Sequence, residues 1–229
     1  MKMIEIKNLK RYYKSGRGVV KALDEVSFKI DKGEFIAIIG ASGSGKTTLL
    51  RILGLMDSPT GGEYSIKGLN VEELEDAERT YYRLTQLGYV FQDYALINEM
   101  NALENVYILS LMEGQSKKNS IEIAKVALGK VGLGNMIYRV PDELSGGEKQ
   151  RVAVARAISK SPHILFADEP CANLDTLTSE QVLKVFKELN EKYGQTIVMV
   201  THEPWHLKYV SRVIELKDGK IISDKKFKR

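Results

Sequence analysis

Phe35-Ile36-Ala37-Ile38-Ile39 runs without a break into Gly40-Ala41-Ser42-Gly43-Ser44-Gly45-Lys46-Thr47 and on into Thr48-Leu49-Leu50-Arg51-Ile52-Leu53. Five consecutive apolar residues predict a strand buried on both faces, and the last six carry a helical pattern. Between them, glycines let the backbone wrap so that successive N–H groups aim inward at the start of a helix, where the helix dipole adds partial positive charge. Such a loop holds a polyphosphate largely by its main chain, here from Gly40, Ser42, Gly43, Ser44 and Gly45 through Thr48. Lys46 is placed to reach the β and γ phosphates, and Thr47 to put its hydroxyl on Mg2+. The pattern G-x-x-x-x-G-K-[ST] arises by accident in roughly one chain in a hundred of this length. The strand before it and the helix after it lower that further, so the stretch predicts a nucleoside triphosphate site.

Outward from this loop, His163-Ile164-Leu165-Phe166-Ala167-Asp168-Glu169 is a second apolar strand, ending in two acids. In parallel sheets the ligand crevice lies beyond the carboxyl ends of the strands, so both acids are expected to face the phosphate loop. Asp168 suits a direct or water-mediated ligand of Mg2+, and Glu169 a base that takes a proton from attacking water. Residues 197–200 form a third apolar run and 89–91 a shorter one; with helical patterns between them they predict a parallel α/β core. Residues 3–6, 26–30 and 64–66 are polar on one side and predict an antiparallel sheet at the edge of the domain. Over 178–193, Val182, Val185, Phe186 and Leu189 make one helical stripe that Gly194 stops. Residues 93–143 contain no comparable strand and read as a helical insertion. The expected organisation is one domain over 1–229, with 1–92 and 144–229 as the nucleotide-binding core and 93–143 as a helical subdomain.

Leu144-Ser145-Gly146-Gly147-Glu148 opens another helix. Ser145 as N-cap with Glu148 three residues on is a capping box and accounts for those two positions. The glycines need another reason. Each costs about 0.8 to 1 kcal/mol relative to Ala inside a helix, so two in the first turn imply close approach by another backbone or by a phosphate. The reading is a second anion site.

Composition narrows the function class. The chain carries 34 Lys plus Arg against 30 Asp plus Glu, but Lys225, Lys226, Lys228 and Arg229 close it, so residues 1–224 balance. The excess reads as a solvated tail rather than a nucleic-acid face. One cysteine, Cys171, excludes an internal disulfide and reads as a small buried residue in a reducing compartment. No apolar run reaches the roughly 18 residues a membrane span needs, and residues 1–9 lack a signal-peptide core. Any membrane role is expected to come through a partner.

Taken together, Gly40 to Thr47, Ile164 to Glu169 and Leu144 to Glu148 resemble the Walker A, Walker B and signature motifs of ATP-binding cassette (ABC) ATPases, in that family's order and over essentially the whole chain. The resemblance implies a P-loop NTPase fold of the RecA-like kind, with a mostly parallel core, an N-terminal antiparallel β subdomain and an inserted α-helical subdomain. It implies ATP and Mg2+ as cofactors. Gln92 is similar to the Q-loop glutamine that contacts Mg2+ and water, Asp175 belongs to a D-loop, and His202 matches the switch histidine on the γ-phosphate. Tyr13 matches the aromatic that stacks on adenine, with Tyr12 beside it as the alternative. It further implies a head-to-tail dimer with a second copy or a homologous cassette, in which Ser145, Gly146 and Gly147 serve the partner's nucleotide.

The same resemblance implies a transmembrane permease subunit docked around Gln92 to Val106 and the helical insertion, and hence a peripheral place on the cytoplasmic face of the membrane. Residues 33–39, 53–57 and 101–106 look most like the lipoprotein-release and macrolide-exporter subfamily (LolD, MacB). The expected activity is ATP hydrolysis coupled to export of lipoprotein, lipid or peptide and antibiotic, with no nucleic-acid partner. The rival readings are an ABC ATPase that signals to cell-wall hydrolases through a membrane partner and a nucleic-acid or translation ABC ATPase. Long heptad arms, zinc cysteines and a second cassette, which mark versions of the latter, are missing from this chain.

Overall fold

The computed structural model describes residues 1–16 and 18–227. In chain order its elements are β1 (Lys2–Ser15), β2 (Gly18–Asp31), β3 (Phe35–Ile39), α1 (Lys46–Leu53), β4 (Gly61–Ile66), β5 (Leu69–Asn70), α2 (Asp76–Gln86), β6 (Leu87–Val90), α3 (Ala102–Met112), α4 (Lys117–Lys130), α5 (Gly146–Ile158), β7 (Ile164–Asp168), α6 (Thr176–Tyr193), β8 (Thr196–Val200), β9 (Arg212–Lys217) and β10 (Lys220–Lys226).

Two sheets result. The larger runs β10-β9-β3-β8-β7-β6, with β9, β3, β8, β7 and β6 parallel and β10 antiparallel at the edge. Its central strands are apolar on both faces because both faces are covered. Phe35 and Ala37, with Leu165, Ala167, Ile197 and Met199, join one core with the helices α3 to α6. Ile36 and Ile38, with Ile164, Phe166, Val198 and Val200, join a second core with α1 and the other sheet. The period of two along each strand thus splits one apolar run between two layers. The smaller sheet, β2-β1-β4-β5, is antiparallel throughout.

The P-loop α/β architecture with an edge β layer and an inserted helical layer is the one expected from the sequence. Some elements are longer than their patterns suggested. β1 continues to Ser15 although its alternation breaks after Ile6, because a register shift between Ile6 and Leu9 absorbs the break. Gly62 fits against it there, since a Cβ would stand 2.4 Å from the Asn8 carbonyl oxygen. No residue of α2 is fully buried, although Tyr82 packs partly buried against the second core, so its apolar signal is weak. Of the basic tail, Lys225 and Lys226 close β10 with exposed side chains, as expected of a solvated tail, and Lys226 also pairs with Glu34 at 2.6 Å. Lys228 and Arg229 lie outside the described residues. Among the described residues no helix is long and apolar enough to cross a membrane.

Candidate functional site

The loop 40–45 turns β3 into α1, and two of its glycines are required by what stands next to them. Gly45 is the N-cap of α1 at φ 102°, and a Cβ there would lie 2.3 Å from the Ala22 carbonyl oxygen. Gly40, at φ 147°, would meet Leu216 oxygen at 2.2 Å. The loop is therefore wedged between β2 and β9 at Gly40 and Gly45, with no room for a side chain at either. The Asp218-Gly219 turn closes over it, with the Gly219 N–H donating to the Ser44 carbonyl at 3.1 Å.

A cavity of about 630 Å³ opens on this loop, lined by Val20, Lys21, Ala22, Ser42, Gly43, Gly45, Lys46, Thr47, Thr48, Glu169, His202 and Asp218. Its size suits a nucleotide. Lys46, nearly buried, donates to the carbonyls of Gly40 and Ala41 at 2.9 Å each, which holds its ammonium over the mouth of the loop. Thr47 Oγ1 donates to Asp168 Oδ1 at 3.3 Å. Burial pushes the Asp168 carboxyl above the ordinary carboxylate range and neighbouring Glu169 adds to it, while the Thr47 hydroxyl, Arg51 and Lys46 oppose the rise. A carboxylate that is costly to leave charged and a hydroxyl converge on the phosphate loop. That donor set fits Mg2+, which takes one or two protein oxygens and completes its shell with phosphates and water.

Glu169 leaves β7 in the left-handed region, φ 45°, a conformation uncommon for a side-chain-bearing residue. Its N–H donates to the Val200 carbonyl at 3.1 Å, and its Oε2 stands 3.3 Å from Nδ1 of His202. The two strand ends β7 and β8 thus deliver a carboxylate and an imidazole to one point of the cavity wall. An acid–base pair at a triphosphate site can accept a proton from water and hold the terminal phosphate.

Several expected site residues stand elsewhere. Gly40 and Ser44 shape the loop without lining the cavity, and Ser44 is buried. Gln92 is exposed and is not in the lining; its carbonyl accepts from Asn173 Nδ2 at 3.1 Å. The loop after it is held by α5: Gln150 Nε2 donates to the Phe91 carbonyl at 3.4 Å, and the Arg156 guanidinium to the carbonyls of Ala95 at 2.6 Å and Tyr94 at 3.0 Å. Asp175 is the N-cap of α6, where accepting from the Thr178 side chain and N–H holds its carboxyl below the ordinary range. Tyr13 is not in the cavity wall either. Its hydroxyl donates to Asp57 at 3.0 Å and Arg11 covers its ring at 4.5 Å, although its ladder partner Val20 lines the cavity. Tyr12 donates to Asp24 under Lys21.

Ser145 caps α5 in the expected capping box, its N–H donating to Glu148 Oε2 at 2.7 Å and Glu148 N–H to Ser145 Oγ at 3.3 Å. The two glycines behind it have a reason inside this chain. A Cβ on Gly146 would meet Leu174 Cδ2 and the Tyr94 hydroxyl at 3.0 Å, and one on Gly147 would meet Thr178 Cγ2 at 2.1 Å. Their presence is thus no evidence by itself for an anion at this helix end, which corrects that step of the sequence argument. Val20, Lys21, Ala22 and Asp218 are cavity residues that sequence reasoning missed. The Asp218-Gly219 turn was legible as a turn, but nothing local says that it folds back onto the phosphate loop. Cys171 is buried, its thiol pushed up to about 12 by burial.

Residues 23–172 match the family model described as ABC transporter. An ABC transporter ATP-binding protein of Methanocaldococcus jannaschii is 44% identical over 220 residues, covering 96% of this chain and 98% of its own. The lipoprotein-releasing system ATP-binding protein LolD of Aquifex aeolicus is 46% identical over 222 residues, covering 97% of this chain and 98% of its own. The macrolide export ATP-binding/permease protein MacB of Hyphomonas neptunium is 45% identical over 222 residues and 97% of this chain, which spans about a third of that longer protein, 34%. A solved dimeric ATP-binding cassette in a post-hydrolysis state, bound to ADP and Pi, superposes with a TM-score of 0.90 at 38% identity, covering 99% of this chain and 100% of its own. The chain belongs to the ABC transporter family, as an ATP-binding cassette ATPase. Members of this family use ATP with Mg2+, pair as cassettes and work with a transmembrane permease. The nucleic-acid and cell-wall-signalling alternatives are not favoured by these relatives.

Proposed function

We propose that this chain is the ATP-hydrolysing subunit of an exporter, pairing head to tail with a second cassette and driving a separate permease from the cytoplasmic face of the membrane. The observation that carries the reading is the single cavity joining Lys46 and Thr47 to Glu169 and His202. Lys46 exchanges its loop carbonyls for β and γ phosphate oxygens, and the N–H groups from Gly43 to Thr48 meet the rest of the phosphate chain. Thr47 and Asp168 would hold Mg2+, with Gln92 as the further ligand from the loop that follows β6. Bound Mg2+ neutralises charge on the phosphates. Glu169 accepts a proton from the attacking water, and His202, braced on Glu169, holds the γ-phosphate. Ser145, Gly146 and Gly147 present the α5 N-terminus to the nucleotide of the partner cassette, and Asp175 stands beside that interface. Tyr13 stacks on adenine through the edge of the sheet where Val20 lines the cavity.

The helical subdomain 93–143 turns on the loop 91–95, and the permease seats in the groove beside it. That groove, about 500 Å³, is walled by Leu84, Leu87, Phe91, Ile108, Leu109 and Met112 and edged by Arg83, Arg156 and Lys160, with no carboxylate in its lining. It fits an apolar helical segment of the permease, since Lys160 is already paired with Glu113 at 3.7 Å and Arg156 is taken up by the Ala95 and Tyr94 carbonyls. The likeness to LolD and MacB supports a lipoprotein, lipid, peptide or antibiotic as cargo. The test is Lys46→Ala: binding of Mg-ATP and hydrolysis are expected to be lost together, and survival of both would overturn the assignment of the phosphate loop.

A further inference from the structure

His206 lies four residues beyond His202, in the short 3-10 stretch Pro204–Tyr209, and is 3% exposed. Its Nδ1 stands 2.6 Å from Oγ1 of Thr201, which is itself 2% exposed. The same oxygen accepts the main-chain N–H of Glu203 at 3.2 Å. Residues 201–203 therefore close a turn around that hydroxyl, with His202 in the middle. The Thr201 N–H donates to the Ile38 carbonyl at 3.2 Å, which ties the turn to the strand that feeds the phosphate loop.

One hydrogen bond joins that hydroxyl to His206 Nδ1, donated by the hydroxyl in one imidazole tautomer and by Nδ1–H in the other. Burial holds the His206 imidazole down to about 4, so the ring stays neutral across the working range. Nε2 bonds to none of the described residues, so the link to Thr201 is the bond that orients the ring. His202, by contrast, has a side chain 52% exposed and meets Glu169 at 3.3 Å and Glu203 at 3.3 Å. Its direction depends on the turn that carries it.

We propose that His206 is a positioning residue for hydrolysis: by its hydrogen bond to the Thr201 hydroxyl it sets the turn that aims His202 at Glu169 and the γ-phosphate. The proposal rests on the role of His202 given above. A misplaced group of this kind lowers the rate of the chemical step while leaving the grip on ATP, which is made by the phosphate loop, unchanged.

The test is steady-state hydrolysis and Mg-ATP affinity of the full chain carrying His206→Leu, His206→Asn, Thr201→Val or the Thr201→Val, His206→Leu pair, with His202→Ala alongside. Leu fills the volume without a hydrogen-bonding group, whereas Asn keeps an amide, able to accept or donate, near the place of Nδ1. His206→Leu and Thr201→Val are each expected to lower kcat about tenfold, the scale of one buried hydrogen bond, with ATP affinity within about twofold of the wild type. His206→Asn is expected to restore most of kcat, and the double variant to be no slower than either single one. Should the leucine chain not fold, His206→Gln replaces it, because its amide falls nearer Nε2. Equal kcat in the Leu (or Gln) and Asn variants, or additive losses in the double variant, with His202→Ala inactive, would overturn the positioning role alone. Wild-type hydrolysis by His202→Ala would overturn the reading of His202 and this inference with it.

Discussion

Gly147 and Thr178 stand so close that a Cβ on the glycine would lie 2.1 Å from the threonine Cγ2. Thr178 cannot swing aside freely, because its hydroxyl donates to Asp175 Oδ2 at 2.5 Å and its N–H to Oδ1 at 3.0 Å. The start of α5 is thereby locked to the start of α6. Gly147→Ala is expected to lower the melting temperature, and Thr178→Ser, which removes the obstructing methyl and keeps the hydroxyl, to recover it in the double variant. If Gly147→Ala melts with the wild type, the lock is not there. Recovery of melting without recovery of hydrolysis would show a separate demand for glycine at the nucleotide of the partner.

Glu169 is held at a left-handed φ with its carboxylate on His202, so replacing it by an amide preserves shape and removes the base. Glu169→Gln is expected to cut hydrolysis by at least about 10²-fold while ATP still binds. Gel filtration with Mg-ATP should then show the two-cassette species accumulating, because the bound state is no longer discharged. Ordinary turnover would remove Glu169 from its role.

The groove between α2, α3 and α5 is apolar and bordered by Arg83, Arg156 and Lys160. Leu109→Glu puts a carboxylate on the wall that receives the permease. Co-purification with the permease is expected to be lost, with Mg-ATP affinity of the isolated chain unchanged. Retained co-purification would place the docking surface elsewhere.

His206 also predicts how stability depends on pH. Its folded value of about 4 lies below the ordinary 6.5; burial is the main cause and the charge of His202 adds to it, while Glu203 opposes. Between those values the unfolded chain binds more protons, so stability is fully present above about pH 6.5 and falls as pH drops toward 4. The full loss is about 3 kcal/mol, with about 2 kcal/mol gone by pH 5. Urea midpoints at pH 7.5 and pH 5 compared between wild type and His206→Asn check this. The variant should lose less on acidification, and parallel losses would show that His206 does not titrate as described.

The strand that enters the phosphate loop, the acids that end β7 and the cap of α5 were all legible in the sequence, because each is a local pattern whose chemistry repeats over a few residues. An apolar run of five before a glycine loop has few physical alternatives, and Ser145 with Glu148 caps a helix wherever that helix goes. α2 gave little signal because none of its residues is fully buried, and β1 was cut short because a register shift hides its continuation.

Tertiary structure alone decided which distant segments meet. That the Asp218-Gly219 turn clasps Ser44 and that Asn173 and Arg156 hold the loop after Gln92 are products of packing between chain segments far apart in sequence. Gly147 makes way for Thr178 for the same reason. Local pattern specifies what a segment is made to do. The neighbour it does it with is chosen by the burial of apolar faces across the whole chain, which no short window of sequence contains.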